Sequence, residues 1–176
     1  IRSYEDNLII NHDPFIKGEL FLNWINYYNH GTLILNVKEE GLEEKLIQIM
    51  KKKKITNYFF LDQSFPFLIK WANLGEKNAA VRVSEYETIE TALNLSGKIN
   101  WVWLDCFHNF PLEKKNIELL KDNHFKICMV SPELQGRDPL KYIPKYFKIL
   151  NDNQIKVDAV CTKKPHIWID LEKQYA

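Results

Sequence analysis

Polar side chains able to transfer protons or bind charged groups occur where the apolar runs of this sequence end. The chain places an amide and an ammonium after one run, and carboxylates, a guanidinium, hydroxyls and an imidazole after the others. These positions are Asn36 and Lys38, Asp62, Arg82, Ser84 and Glu85, Asp105 and His108, Ser131 and Glu133, and Thr162. Strands with a purely structural role need fewer polar groups at their ends, although Asp105 and Ser131 in particular are expected to cap helices or brace loops. The pattern indicates a site that several strands build together.

His12 has the strongest individual claim to proton transfer. It ends an extended segment and precedes Asp13-Pro14, a turn signal, which places its imidazole where a strand stops. A lone histidine is more often structural, so both interpretations of His12 stay open at this point. His30 lies just before the amino end of a strand, away from the end where barrel enzymes carry out chemistry. His108, His124 and His166 have weaker claims.

The elements that must position these residues are apolar, β-rich runs separated by segments with helical spacing. Such continuous runs are typical of strands buried on both faces, as in parallel sheets. The runs are Leu8–His12, Thr32–Lys38, Asn57–Asp62, Ala79–Ser84, Asn100–Cys106, Phe125–Ser131 and Lys156–Thr162. Helical stripes are formed by Leu42, Leu46, Ile49 and Met50, by Ile89, Ala92 and Leu93, and by Leu140, Ile143, Phe147 and Leu150. Two more helices are predicted at Phe67–Leu74 and Glu113–Asp122, and a closing helix or tail from Pro165.

The alternation predicts an α/β fold in which six strands, from Thr32 onward, are parallel neighbours in chain order. A doubly wound sheet and a (β/α)₈ TIM barrel both fit this pattern. A dinucleotide-binding sheet needs a glycine-rich turn after its first strand, and the sequence contains no GxGxxG. The barrel is therefore favoured. A complete barrel takes about 250 residues, so the 176 residues are expected to form one domain, residues 1–176, from which the first strand and most of the second are missing.

Composition and charge exclude several functional classes. The 24 basic and 23 acidic residues give a net charge of +1, which supplies no electrostatic footprint for nucleic acid. No apolar run approaches the roughly 20 residues that a membrane-spanning helix requires. The three cysteines lack metal-ligand spacing, and their odd number in apolar runs favours a reducing compartment, the cytoplasm.

Three segments together resemble the glycerophosphodiester phosphodiesterase family, a group of TIM barrels. His12-Asp13, after residues 1–11, resembles the His-Asp that follows a short hairpin in that family. Leu35-Asn36-Val37-Lys38 resembles the family's Glu-x-Lys, with Lys38 kept and Asn36 in place of the metal-binding glutamate. Asp158-Ala-Val-Cys-Thr162, followed by Pro165, resembles the last strand of the family. The resemblance covers nearly the whole chain in order, and the family's Glu-x-Asp pair would fall immediately before Ile1.

The resemblance implies metal-assisted hydrolysis of a glycerophosphodiester or a related lipid-head or sugar phosphodiester. A divalent cation, Mg²⁺ or Ca²⁺, would offset charge in the transition state, with Asn36 at one ligand position. His12 would be the general acid to the leaving alkoxide, and Lys38 would hold a phosphate oxygen. Position alone adds Arg82 as a phosphate clamp, and Glu85 and Asp62 as further substrate contacts. We expect His12, Lys38, Arg82 and Glu85 to open into one shared cavity.

The departures from the family keep two functional classes open. The first histidine of the family and its acidic pair are not in this chain, and the amide of Asn36 replaces a carboxylate, which weakens a site for a hard cation. The first hypothesis is a phosphodiesterase, in which the chain as given is inactive. The alternative is a catalytically lapsed barrel that binds a phosphorylated ligand or a protein partner. An aldolase-type or isomerase barrel ranks last, because Lys126 and Lys156 lie at strand starts and not inside late strands.

Overall fold

A computed structural model describes residues 1–29 and 31–175 of the chain. The chain divides into two compact units, Ile1–Ala80 and Val81–Ala176. The elements are of mixed α/β type, as the sequence predicts. The single domain expected from the length stays a prediction, and His30 lies outside the described residues.

The first unit begins with an antiparallel sheet of three short strands, β1 (Arg2–Tyr4), β2 (Asn7–Ile10) and β3 (Glu19–Leu20). Only two residues join β1 to β2, and a connection of that length forces antiparallel pairing. The apolar run Leu8–His12 was therefore wrongly grouped with strands typical of parallel sheets. The short hairpin that the family resemblance implies is present. A one-turn helix, α1 (Phe21–Trp24), and a 3₁₀ turn at Ile25–Tyr27 follow.

The rest of the first unit is built on two parallel strands, β4 (Leu33–Asn36) and β5 (Tyr58–Leu61). Their register pairs Leu33 with Tyr58 and Asn36 with Leu61, so both strands end at the same level. The crossover between them is α2 (Glu43–Lys53), and α3 (Phe65–Asn73) follows β5. All four residues of β5 are buried, and α2 buries Leu46 and Met50. Burial of an apolar strand between helices is the reason this segment becomes a parallel strand.

The second unit contains a parallel four-stranded sheet in the order β6–β7–β8–β9, and β6 begins at the boundary between the units. The strands are β6 (Ala80–Val83), β7 (Trp101–Leu104), β8 (Lys126–Val130) and β9 (Ala159–Cys161). The register pairs Leu104 with Met129 and Val130 with Cys161. The adjacency predicted from sequence is confirmed for β4 with β5 and for these four strands in chain order. Closure into a TIM barrel stays a prediction.

Four helices complete the second unit: α4 (Ile89–Leu93), α5 (Lys114–Asp122), α6 (Pro139–Asp152) and α7 (Pro165–Tyr175). A 3₁₀ turn at Pro132–Gln135 precedes α6. The apolar stripe predicted for α6 is wrong at one position, since Leu140 lies in the first turn and is exposed while Tyr146 is buried. Among the described residues no helix combines the length and the apolar character needed to cross a bilayer.

The burial of Phe60 in β5 predicts the result of a matched pair of substitutions, one at this buried position and one at an exposed loop position. Phe60 is fully buried in β5, whereas Phe15 in the loop after β2 is 98% exposed. Phe60→Ala is expected to lower the free energy of unfolding by about 3–5 kcal/mol, because it leaves a cavity that the neighbours cannot fill. Phe15→Ala is expected to change it by less than about 0.5 kcal/mol. Urea unfolding followed by circular dichroism measures both, and equal effects would contradict the burial described here.

Candidate functional site

The candidate site in the first unit lies at the carboxyl ends of β4 and β5. Asn36 is the last residue of β4, Lys38 follows two residues later, and Asp62 comes directly after β5. Lys38 Nζ lies 2.6 Å from Asp62 Oδ2, and both side chains are about three-quarters buried. Asp62 has a φ of 61°, a left-handed conformation that aspartate tolerates better than most residues. The common level of the two strand ends is what brings the ammonium and the carboxylate together.

One guanidinium joins the hairpin to this edge. Arg2 donates through Nε to the carbonyl oxygen of His12 (3.0 Å) and through NH1 to that of Lys38 (3.2 Å). The same guanidinium lies 3.6 Å from the carboxylate of Glu39. Burial raises the pKa of Glu39, but hydrogen bonds from Ser3 and the Arg2 charge outweigh it, so this pKa lies below its usual value. Arg2 therefore holds the His12 and Lys38 peptides near one another.

The His12 imidazole, the predicted acid catalyst, is open to solvent. Its side chain is 85% exposed, and Nδ1 lies 3.2 Å from Oδ1 of the adjacent Asp13. It is not packed in an apolar cluster, the arrangement that would rule out proton transfer. His12 and Lys38 belong to the first unit, whereas Arg82 and Glu85 belong to the second. The cavity shared by all four stays a prediction.

Three buried oxygens beside the ion pair have no hydrogen-bond donor among the described residues: Asn36 Oδ1, Gln63 Oε1 and Ser64 Oγ. Gln63 uses its amide nitrogen to donate to Glu43 Oε1 at 3.1 Å, which leaves its oxygen over. Glu43 is almost fully buried at the start of α2, and its other oxygen accepts the backbone N–H of Gly41 at 3.1 Å. Ser64 is the residue before α3, yet its hydroxyl does not cap that helix.

Gln63, Ser64 and Glu43 belong to the wall of an open cleft of about 310 Å³, and Asn36 is close to it in sequence but is not part of its wall. Lys38, Asp62, Gln63 and Ser64 contribute to its wall, together with Glu43 from α2. A buried oxygen without a donor costs about 1–3 kcal/mol. A ligand with hydroxyl or ammonium donors would remove that cost, so the cleft is chemically suited to a polar ligand.

At the carboxyl ends of the strands in the second unit, charged and polar side chains form hydrogen bonds with one another. Arg82 NH1 donates to Asp105 Oδ2 at 3.1 Å, and Gln135 Nε2 donates to Asp105 Oδ1 at 2.6 Å. Asp105 is buried directly after β7, so both of its oxygens need such partners. The loop-bracing role predicted for Asp105 is confirmed. Arg82, the predicted phosphate clamp, uses one of its N–H donors to bind this carboxylate.

Glu85, predicted as a substrate contact, accepts three backbone N–H groups from the loop after β7. The donors are Phe107 at 3.1 Å and His108 and Asn109 at 2.7 Å each. Partial burial raises the pKa of Glu85, and these N–H groups lower it by more, so it lies below its usual value. Arg137 donates to the carbonyls of Cys106 and Phe107 on the same loop. The loop is therefore braced from two sides.

The segment that follows β8 is also braced by side-chain hydrogen bonds. Ser131 is fully buried; its hydroxyl accepts the indole N–H of Trp168 at 2.9 Å and donates to Glu133. Glu133 also accepts the hydroxyl of Thr162 at 2.5 Å and the backbone N–H of Lys163 at 2.9 Å. The prediction that Ser131 braces a loop is confirmed, and Glu133 and Thr162 belong to the same brace.

A divalent cation does not fit the described residues taken by themselves. Asn36 Oδ1 is buried and lacks a donor, as a ligand oxygen would, but it is neutral. The adjacent carboxylate, Asp62, already pairs with Lys38. Mg²⁺ and Ca²⁺ are held largely by carboxylates, and the described part of the chain contains no group of three or more His, Cys, Asp or Glu side chains placed to hold a metal.

Comparison of the chain with protein-family models, with curated proteins and with solved structures found no match. The site thus rests on its own geometry. Sequence reasoning located Asn36, Lys38 and Asp62 but missed Glu43, Gln63 and Ser64. The sequence Ser64-Phe65-Pro66 is a helix-start signal that could have drawn attention to Ser64. Glu43 has no such signal, because an acidic residue in the first turn of a helix is common.

The bracing of the loop by Glu85 predicts a change in the pH dependence of stability. Because the folded-state pKa of Glu85 is lowered, its contribution is present above the unfolded-state pKa and is lost as the pH falls through the folded-state value. Glu85→Gln is expected to destabilise the protein by about 1 kcal/mol at neutral pH and to flatten the decline of stability in acid. Thermal melts between pH 3 and 7 measure this.

Glu118→Gln is the control for Glu85→Gln, since Glu118 is an exposed helix residue whose one ion pair with the described residues is a 3.9 Å contact with Lys114. Melting curves of Glu85→Gln that parallel those of the unchanged chain at every pH would disprove the bracing role.

Proposed function

We propose that the cleft at the carboxyl ends of β4 and β5 binds a small phosphodiester of the glycerophosphodiester class, and that this chain binds it without hydrolysing it. The observation that carries the proposal is the combination of one ammonium, Lys38, with buried oxygens that lack donors on the same edge. A glycerophosphodiester offers the complementary groups, an anionic phosphate and free hydroxyls.

The phosphate half of the ligand is assigned to Lys38. An ammonium has three donor hydrogens, so Lys38 can keep its bond to Asp62 and still donate to a phosphate oxygen. The carboxylates of Glu39 and Glu43 are engaged with their own partners, which limits their competition for Lys38, whereas Glu40, which also lines the cleft, adds a negative charge that opposes the anion. Asp62 is the direct competitor, and it sets a moderate affinity for the anion.

The alcohol half of the ligand is assigned to the unpaired oxygens. Gln63 Oε1 and Ser64 Oγ belong to residues of the cleft wall, and Asn36 Oδ1 lies at the end of β4. Each is a hydrogen-bond acceptor without a donor among the described residues, and a ligand hydroxyl would supply that donor. This favours a polyol phosphodiester over inorganic phosphate, which has fewer donors to offer.

The absence of turnover is proposed because the family chemistry depends on charge that Asn36 does not supply. A neutral amide oxygen stands where the family resemblance implies a carboxylate, and Asp62 is committed to Lys38. Losing a metal site removes several kcal/mol of transition-state stabilisation, and each 1.4 kcal/mol or so is tenfold in rate. Acid catalysis by His12 contributes about 10²- to 10⁴-fold and does not replace it.

Phosphodiester hydrolysis is the second candidate, and the exposure of His12 favours it. The imidazole is 85% exposed, and the main-chain carbonyl of His12 accepts from Arg2, which also donates to the carbonyl of Lys38. The compartment proposed for either function is the cytoplasm, because the three cysteines are unpaired.

The binding proposal predicts a specific loss of affinity. Isothermal titration of the 176-residue chain with sn-glycero-3-phosphocholine is expected to show binding that Lys38→Gln weakens by about tenfold, the value of one charge-assisted hydrogen bond of roughly 1.4 kcal/mol. Lys45→Gln is the matched control, because Lys45 lies on α2 outside the cleft wall. Inorganic phosphate is expected to bind more weakly. Unchanged affinity in Lys38→Gln, or equal affinity for inorganic phosphate, contradicts the proposal.

The proposal of binding without hydrolysis predicts no release of glycerol 3-phosphate or of choline from the same ligand, with Mg²⁺ or Ca²⁺ added. Enzymatic detection of both products over several hours makes this measurement. Turnover that disappears in His12→Ala would establish the second candidate in its place. His124→Ala is the control for non-specific loss, because His124 lies between α5 and β8, away from the strand ends.

A further inference from the structure

We propose that the second unit carries a separate binding site, a cavity beside α5 and α6 that takes a small amphiphilic carboxylate, a molecule with an aliphatic body and one anionic head group. The cavity has a volume of about 530 Å³, within the range of roughly 300–1,000 Å³ typical of small-molecule sites. It shares no lining residue with the cleft of the first unit. The inference therefore does not depend on the proposed phosphodiester function.

The apolar part of the cavity supplies the surface for an aliphatic body. Phe110 and Leu112 come from the loop before α5, Ile149 comes from α6, and Ile155 follows α6. The Phe110 ring packs edge-on against the ring of Tyr146 with a centroid separation of 6.3 Å, which fixes one wall. Burying apolar ligand surface there is favourable by about 25 cal/mol per Å².

The charged part of the cavity is basic. Three lysines, Lys114, Lys115 and Lys145, line it together with one glutamate, Glu113. Glu113 pairs with Lys115 at 2.8 Å, and Lys114 donates to Gln154 Oε1 at 3.3 Å and lies 3.9 Å from Glu118. Lys145 has no carboxylate partner among the described residues; its ammonium lies 5.8 Å from the centre of the Tyr142 ring. An anionic head group is the complement of this arrangement.

Tyr146 forms a buried part of the cavity wall. It is 2% exposed and lines the cavity, and its hydroxyl oxygen makes no hydrogen bond with any described residue. Burial raises the pKa of this phenol to about 12, so the group is neutral at physiological pH. The charged groups that act on the phenol are Arg137 and Glu85 and not the lysines of the cavity, so the anionic head group is assigned to the lysines alone.

The cavity is preformed by the bracing of the loop that leads to α5. Glu85 and Arg137 hold residues 106–109 by five hydrogen bonds to backbone groups. Glu113 and Asn116 then close a reciprocal capping box at the start of α5. A wall fixed in this way does not have to be ordered by the ligand, which lowers the entropic cost of binding.

The test is isothermal titration of the 176-residue chain with decanoate, decanol and decyltrimethylammonium, each below its micellar concentration. Decanoate is expected to bind, with affinity at least tenfold above that of the two chain-length controls. Lys145→Gln is expected to weaken decanoate binding about fivefold. Lys141→Gln is the matched control, since Lys141 lies 5.5 Å from the same Tyr142 ring but does not line the cavity. Its affinity should stay within twofold of the unchanged chain.

Two further measurements test whether decanoate binds in this cavity and not in the cleft of the first unit. In two-dimensional amide NMR, decanoate is expected to shift resonances of residues 109–115 and 145–155 and to leave those of residues 36–64 unchanged. An excess of sn-glycero-3-phosphocholine is expected not to displace decanoate. Absence of decanoate binding, equal binding of decyltrimethylammonium, equal loss in Lys141→Gln, or shifts confined to residues 36–64 would each overturn the inference.

Discussion

Burial of the parallel strands on both faces is the constraint on which the arrangement of polar groups depends. Phe60 in β5, Val102 and Leu104 in β7 and Ile127 in β8 are all fully excluded from solvent. A strand position buried in this way excludes an unpaired charge, and the backbone groups of the strand pair with neighbouring strands. Arg82, inside β6, is only partly buried and pairs with Asp105. Charged and hydroxyl groups are therefore displaced to the strand ends. Asp62, Ser84, Asp105 and Ser131 are each the first residue after a strand.

The polar side chain at a strand end then needs hydrogen-bond partners, and the two units supply them to different extents. In the second unit Asp105 receives two donors, and Ser131 both accepts from Trp168 and donates to Glu133. In the first unit Lys38 and Asp62 pair, but the oxygens of Asn36 and Gln63 have no donor among the described residues. Each unmet bond costs about 1–3 kcal/mol. A site that retains such a cost is a better candidate for ligand binding than one whose groups satisfy each other, and this difference, not the number of charges, selects the β4–β5 edge.

The sequence predicted the elements that depend on local pattern and missed those that depend on specific partners. Apolar runs located β4 to β8 to within a few residues, because burial demands such runs. The last strand is shorter than the predicted Lys156–Thr162; just before it, the Asp158 carboxylate accepts the N–H of Ile127 at 2.6 Å in place of a main-chain carbonyl. Leu8–His12, which its apolar character grouped with runs typical of parallel sheets, is part of an antiparallel hairpin, since the two-residue turn before it decides its direction. Asn36, Lys38 and Asp62 were found from their places after runs, whereas Gln63 joins the site only through its bond to the buried Glu43, a contact 20 residues apart in sequence that no local pattern encodes.

Burial makes the three thiols poor nucleophiles near the strand ends. Cys106 follows Asp105 at the end of β7, and a reactive thiolate there would be an obvious nucleophile. Burial, with the nearby charges of Glu85 and Asp105, raises its pKa to about 12, and burial also raises the pKa of Cys128 and of Cys161. All three thiols are therefore protonated at neutral pH, and a protonated thiol is a poor nucleophile. Burial, with the carboxylates of Glu85 and Asp105 beside Cys106, thus suppresses thiolate chemistry at the end of β7, and the thiols do not compete with the ammonium of Lys38 and the exposed imidazole of His12 as candidate reactive groups.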